Sequence, residues 1–328
     1  MRLLTKYFLT IYFAFAAINA NAEEVKYMVD VQKSLLGTEI VGKAIDTDIR
    51  KAQKAIYYAY KEIERIDSLY NYSEPTSIVY QINQNANKSP YKINSEAYNL
   101  IKRAKEYSAL YEGYFDVSLG AITELWGFSK DEQAKLPDNS AINQLLKSVS
   151  SANIELDSAN STVYFRTADL KIDLGGLAKG YAVDRAAWIL DSMQIQDYII
   201  NAGGDLVAKG RNNRNEPWTV GIKHPRIVDS VAYSFAAENM CVATSGDYER
   251  YIIVDGRRYH HILNPFTGYS ENSLQSVTVV YKTTEQATAL GKYIFLIGLD
   301  KFLSSQLSKE TKYYIIDAAG KQYTNMRE

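Results

Sequence analysis

Lys171-Ile-Asp-Leu-Gly-Gly-Leu-Ala-Lys-Gly-Tyr-Ala-Val-Asp184 joins two kinds of secondary structure in one short run. Leu170–Leu174 reads as a strand, Gly175-Gly176 as a tight turn, and Leu177 to about Met193 as a helix. Bare amides at a helix start form an anion site, and glycine lets a phosphate come close. Lys179, on the first turn, adds a point charge for that phosphate. The run is not a Walker loop, because the lysine precedes the glycine and no Ser or Thr follows it. The same residues would equally make an ordinary strand-turn-helix corner.

Upstream of this corner the pattern is helical. Asp46-Thr47-Asp48 offers N-cap chemistry to a helix whose apolar stripe is Ile49, Ala52, Ile56, Ala59, Ile63 and Ile66. A second helix starts at Ser95 and runs past Tyr107, with Gly113 as a left-handed stop, and a shorter one covers Asp138 to Val149. Downstream the texture is β-rich, with strands predicted at Thr162–Arg166, Tyr198–Asn201, Trp218–Ile222, Val231–Phe235, Tyr251–Val254, Tyr259–Leu263 and Val277–Tyr281. A further helix is predicted at Glu285–Ile297. No repeat or linker divides the chain, so the expected fold is one α+β domain over residues 23–328, helices mainly in its first half and sheet in its second.

Composition narrows the function. Of 328 residues, 37 are Lys or Arg and 38 Asp or Glu, a net charge of -1 that gives no basic field for nucleic acid. The single cysteine, Cys241, excludes an intramolecular disulfide framework and any multi-cysteine metal site, and three histidines leave little for a histidine-rich one. Residues 1–22 read as a secretory signal peptide: Arg2 and Lys6, an apolar run from Tyr7 to Ile18, then Ala20-Asn21-Ala22 before cleavage. That run is shorter than the ~20 residues a membrane span needs. With no cysteine near the cleavage site, an exported protein without a lipid anchor or stable membrane insertion is expected.

Three other stretches could carry chemistry. Asn201-Ala-Gly-Gly-Asp205 places a second glycine pair at a strand end. Thr244-Ser-Gly-Asp-Tyr-Glu-Arg250 precedes Tyr259-His-His-Ile-Leu-Asn-Pro-Phe-Thr-Gly268, where adjacent His260 and His261 would point to opposite faces of a strand, so one site can use only one as a proton carrier. Glu285, Thr288 and Lys292 share one helix face, which would otherwise be a solvated face with an ordinary ion pair.

In their order and wording these segments, together with Gly113-Tyr-Phe-Asp-Val-Ser-Leu-Gly120 and Leu125-Trp-Gly-Phe128, resemble the ApbE family, the FAD:protein FMN transferases. The resemblance runs from Leu36-Gly37-Thr38 to Gly298. It implies an ApbE-like (T-fold-related) domain with helices packed on mainly antiparallel sheets. It also implies a periplasmic enzyme that splits the pyrophosphate of FAD, joins FMN through a phosphoester to a Ser or Thr of an acceptor flavoprotein, and releases AMP. The acceptor class it implies is an exported or membrane-bound electron-transfer subunit. By position, Tyr114, Phe115, Asp116, Asp173, Lys179 and Ile262 would line the FAD, with Leu36 where the family usually has methionine and Ser73 at a contact position ahead of Pro75. His261 matches the histidine that takes the proton from the acceptor hydroxyl.

The resemblance further implies a magnesium ion held by the backbone carbonyl at Gly176 and by an Asp and a Thr on the last helix. This chain has Thr288 where the Asp belongs, Lys292 where the Thr belongs, and Asn264 in place of an Asp after the histidine. An ammonium repels a divalent cation, and magnesium normally wants one or two carboxylates. Either Lys292 supplies the positive charge itself, or Glu285 swings in as a substitute carboxylate. These departures also admit a flavin-binding protein without catalysis, or an FAD pyrophosphatase in which water replaces the acceptor.

Overall fold

The computed structural model describes residues 9–11, 25–128 and 134–326. Strands β1 (Leu9–Ile11), β2 (Tyr27–Leu35) and β3 (Thr38–Asp46) come first, then helices α1 (Ile49–Tyr70) and α2 (Ile78–Asn85). After β4 (Tyr91–Lys92) follow α3 (Ser95–Leu110), α4 (Gly120–Trp126), α5 (Asn139–Leu146), β5 (Ile154–Asp157) and β6 (Thr162–Phe165). Helix α6 (Gly175–Ser192) leads into β7 (Asp197–Ala202), β8 (Asp205–Lys209), β9 (Trp218–Lys223), β10 (Val231–Ala237) and β11 (Met240–Gly246). Then come β12 (Tyr251–Val254), β13 (Arg257–His260), β14 (Leu274–Tyr281), α7 (Thr284–Ile297), α8 (Leu299–Ser304), α9 (Leu307–Glu310), β15 (Lys312–Asp317) and β16 (Gln322–Thr324).

One sheet organises the rest, in the order β1-β2-β3-β7-β8-β11-β14-β15-β16, and every pairing in it is antiparallel. Strand alternation divides its side chains between two cores. Ile40, Ala44, Ile200, Val277 and Ile315 join the helices α1, α3, α6 and α7 in the main core. Ile45, Leu206, Val242, Tyr314 and Ile316 pack instead against Trp218, Val220 and Phe235 of the β9–β10 hairpin. A third, small core unites Trp126 and Phe128 with Ile122, Ile142 and Leu263. No helix among the described residues is long and apolar enough to cross a membrane. The leader expected over 1–22 lies outside the described residues except for 9–11, which pair with Val29–Val31.

The long helix forms where its cap and stripe predict. Asp48 accepts from the amides of Arg50 and Lys51, and Ala52, Ile56, Ala59, Ile63 and Ile66 are buried. Tyr60 ties α1 to the sheet, its hydroxyl donating to the carbonyls of Val31 and Ile40. Gly113, at φ +79°, closes the end of α3 by donating to the Ser108 carbonyl at 2.8 Å.

Three expectations are corrected. The sheet is not confined to the second half, because β2 and β3 contribute a hairpin turned by Leu36 and Gly37, both at positive φ. Tyr259–Leu263 leaves the ladder after His260. Leu170–Leu174 is extended but makes only one isolated bridge, Lys171 to Leu119. Its hydrogen bonds go elsewhere. The Asn83 side chain takes both the amide and the carbonyl of Ile172 at 2.8 and 2.9 Å, the Asp173 amide bonds the Val117 carbonyl at 2.8 Å, and the Gly120 amide bonds the Lys171 carbonyl at 2.9 Å.

Gly120 allows that last approach: a Cβ there would lie 2.7 Å from the Lys171 carbonyl oxygen. Gly120→Ala is therefore expected to cost roughly 2–3 kcal/mol through overpacking against backbone. Urea unfolding monitored by circular dichroism reads the loss as a lower midpoint at unchanged slope.

Candidate active site

Helices α6 and α7 build the site by running antiparallel at close range. Asp184, in the third turn of α6, accepts from the amides of Thr284 and Glu285 at 2.8 and 2.9 Å and so caps the start of α7. One turn back, a Cβ on Gly180 would lie 2.4 Å from the Thr288 hydroxyl and 2.7 Å from the Thr284 carbonyl. One turn further, a Cβ on Gly176 would lie 2.9 Å from the Lys292 ammonium. Residues 176, 180 and 184 thus face 292, 288 and 284, and the glycines are what let the helices touch.

The bare amide cradle expected at the start of α6 is partly spent. The Asp173 carboxylate accepts from the Gly175 amide at 2.8 Å, and the Leu177 amide turns back to the Leu174 carbonyl at 2.8 Å. An anion at this corner must draw more on cations than on backbone.

Those cations converge from separate elements. The Lys179 ammonium stands 4.0 Å from the Asp205 carboxylate, which comes from the start of β8 and is 1% exposed. Asp205 Oδ2 is buried with no hydrogen-bond partner among the described residues. Burial holds the Asp205 carboxyl above its usual range, opposed by the charges of Lys179 and Lys292. Burial and the neighbouring Lys179 push the Lys292 ammonium down to about 8, with Asp205 and Asp173 pulling the other way.

His261 belongs to the same cluster. Burial, then the charges of Lys292, Arg250 and Lys179, hold its imidazole well below the usual value of 6.5. It is neutral at neutral pH, and its Nδ1 has no hydrogen-bond partner among the described residues. The unfolded imidazole protonates as pH falls through 6.5 while the folded one does not, so this residue makes acid destabilising. His260 faces the other way: fully buried, it bonds the Glu271 carbonyl at 2.7 Å and packs edge-on to Phe295.

The remaining predicted positions separate into surface and core. Tyr114 packs edge-on against Phe266 at 5.0 Å, with the Lys301 ammonium 4.9 Å over its ring. Phe115 is a core residue, 4% exposed against Tyr107. The Asp116 carboxylate is occupied by the amides of Ser118 and Ser151 and the Ser108 hydroxyl. Both therefore shape the segment rather than line open space. Ile262 is buried beside His261, Leu36 sits at the β2–β3 turn with its amide on Asp67, and Ser73 lies between α1 and α2 with its amide on Asn71. Asp205 and Phe266 lie within two of the quoted stretches without an assigned role; a carboxylate right after a glycine pair is the sequence signal for Asp205, and the 58% exposure of Phe266 shows only in the structure.

The residues at the position assigned to magnesium do not suit it. Lys292 points its ammonium over Gly176, the Thr288 hydroxyl donates to the Thr284 carbonyl at 2.8 Å, and no group of three or more His, Cys, Asp or Glu among the described residues could hold a metal ion. Glu285 is no substitute ligand and its helix face is not solvated. It is 5% exposed and held by Arg103 through two bonds of 2.7 and 2.8 Å and by the Tyr107 hydroxyl at 2.9 Å.

This is an antiparallel α+β protein whose site gathers lysines, one buried carboxylate and one neutral imidazole around a glycine-faced helix start. The ApbE family model matches residues 36–315, and the chain belongs to the ApbE family. A FAD:protein FMN transferase of Klebsiella pneumoniae is 30% identical over 279 residues, 84% of each chain. One of Haemophilus influenzae is 28% identical over 83% of this chain and 80% of its own. The crystal structure of the ApbE protein of Thermotoga maritima superposes with a TM-score of 0.85 at 33% identity, over 90% of this chain and 96% of that one. The flavin transferase ApbE of Vibrio cholerae shares the fold at a TM-score of 0.81 and 24% identity, over 91% of this chain and 97% of its own.

Arg103→Ala would leave Glu285 buried without its partner. The expected loss is about 2 kcal/mol, below that of a fully enclosed pair because 35% of the Arg103 side chain meets solvent. Thermal unfolding should show a melting temperature several degrees lower.

Proposed function

We propose that this chain is an FAD:protein FMN transferase acting in the periplasm, its acceptor an exported or membrane-bound electron-transfer subunit. What carries the reading is that Lys179 stands 4.0 Å from the buried Asp205 carboxylate and the Lys292 ammonium lies over Gly176, with the charges of both lysines acting on the His261 imidazole, in a chain of this family.

The lysines attract and orient the pyrophosphate of FAD as charge-assisted partners of its oxygens. An acceptor Ser or Thr oxygen attacks the phosphorus of the FMN half. One P–O bond forms to the acceptor, the bridging P–O bond breaks, and AMP leaves with the bridging oxygen. The hydroxyl proton passes to the neutral imidazole of His261, which is ready to receive it because burial and cations keep it unprotonated. Tyr114 and the exposed Phe266 offer aromatic surface to a planar ring at the edge of the site. Residues 1–22 supply the export signal this location needs.

Incubating the protein with FAD and a candidate acceptor tests the reading directly. Fluorescent flavin retained on the denatured acceptor, with one AMP released per flavin, is the expected result. Free FMN with AMP would make it a pyrophosphatase, and intact bound FAD a flavin carrier.

His261→Asn is expected to bind FAD as wild type does and to lower transfer by about a hundredfold or more, the usual contribution of a positioned base. For the wild-type enzyme, the acid limb of kcat/KM against pH, which reports the free enzyme, should fall below the ordinary imidazole value of 6.5. A limb at 6.5 or above would place the essential base elsewhere.

A further inference from the structure

Of the charged groups at this site, Lys292 is the one whose placement the helix packing dictates. Its stem lies along α6, with Cδ, Cε and Nζ 3.9, 3.7 and 2.9 Å from where a Gly176 Cβ would stand. The ammonium is thereby held over the first turn of α6, where the charges of Lys179, Asp205 and Asp173 all act on it. Asp205 has a buried carboxylate oxygen with no hydrogen-bond partner among the described residues, in a side chain almost wholly out of solvent. A lone buried carboxylate is costly unless cations face it, and here two do. Half of the orphan amides at this helix start are already bonded.

We propose that the Lys292 ammonium, seated over Gly176 and charge-balanced by Asp205, is a built-in cation that binds the phosphate oxygens of the dinucleotide in place of a divalent metal. Asp205 is its positioning residue: the carboxylate holds the two lysines in place while the site is empty and releases part of their charge to the phosphates on binding. This rests on the flavin reading above and adds what neutralises the pyrophosphate. Two lysines match the charge of one divalent ion and spread it over two points, one for each phosphate.

The test is FAD binding by the purified full chain, followed by quenching of flavin fluorescence, in EDTA and in millimolar Mg2+. The expected dissociation constants agree within about twofold, a difference too small to reflect a lost ion contact. Mg2+ titrated alone into the protein should give no binding heat. Lys292→Met should weaken FAD by about tenfold or more, the scale of a charge-assisted hydrogen bond, and leave riboflavin, which has no phosphate, unaffected. Lys292→Arg should recover part of the loss. Gly176→Ala is an independent variant, since its Cβ displaces only the flexible end of Lys292; it too should weaken FAD and spare riboflavin. Asp205→Asn should weaken FAD less than Lys292→Met does, and lower riboflavin binding not at all.

FAD binding that strengthens tenfold or more with Mg2+, or a Lys292→Met protein that holds FAD as tightly as wild type, overturns the inference while leaving the transferase reading intact. Wild-type protein that binds no FAD in either condition overturns the transferase reading and this inference with it.

Discussion

The antiparallel contact of α6 with α7 is the constraint from which the site follows. Helices come this close only where one presents backbone, and α6 does so at Gly176 and Gly180. The next residue in the same row, Asp184, is long enough to reach the first amides of α7 and cap them. A shift of α7 by one turn would break that cap, and in one direction would drive Thr288 into the Asp184 side chain, so the cap and the glycine contacts together set the register of the pair. Once it is set, Lys292 has one place to go, over the glycine that opens α6. The site cation is therefore positioned by helix packing rather than by a loop.

Around that contact the charges are organised by burial. Asp205 arrives from the β7–β8 turn and Lys179 from the second turn of α6, while His261 stands at the end of the β12–β13 hairpin. Burial and the cations lower the His261 imidazole, the two lysines oppose the desolvation of Asp205, and Asp205 opposes that of Lys292. The second ring of contacts fixes where these elements can stand. Trp126 donates its ring nitrogen to the Gly268 carbonyl at 2.9 Å and stacks on Phe128, so the segments around α4 and after His261 share one small core. Glu285 is clamped by Arg103 and Tyr107, which removes it from the chemistry and ties α7 to α3.

Long, strongly periodic segments were legible in the sequence. The stripe of α1, its Asp48 cap, and the change of texture after Ile154 each follow from side-chain spacing alone, and the motifs pointed to the right segments. Three things were not legible, for three physical reasons. The β2–β3 hairpin carries apolar residues on both faces, Met28, Val41 and Ile45 beside Asp30 and Lys43 on one of them, and turns at Leu36, a residue that rarely adopts positive φ, so neither alternation nor turn chemistry announced it. Leu170–Leu174 has strand composition, but its partners are an asparagine side chain and a glycine amide, contacts with no sequence period. The face of Glu285, Thr288 and Lys292 looked like an ordinary amphipathic surface, and only the packing of α6 shows that it is interior. Asp205 was visible but mute, since a carboxylate after two glycines gains meaning only when cations from other elements surround it.

An ammonium in place of a metal changes how the site meets its substrate. A divalent ion must shed water and be captured at each assembly of the site, whereas a lysine is covalently present and is already partly desolvated by burial. The cost is repulsion between Lys179 and Lys292, which Asp205 offsets before substrate arrives. When phosphates enter, both ammonium groups face anions, and two lysines brought together from α6 and α7 match two charges to the two phosphates of a pyrophosphate. The carboxylate that balanced the empty site then competes with the product phosphate for the same cations, and so favours release once the pyrophosphate has been split.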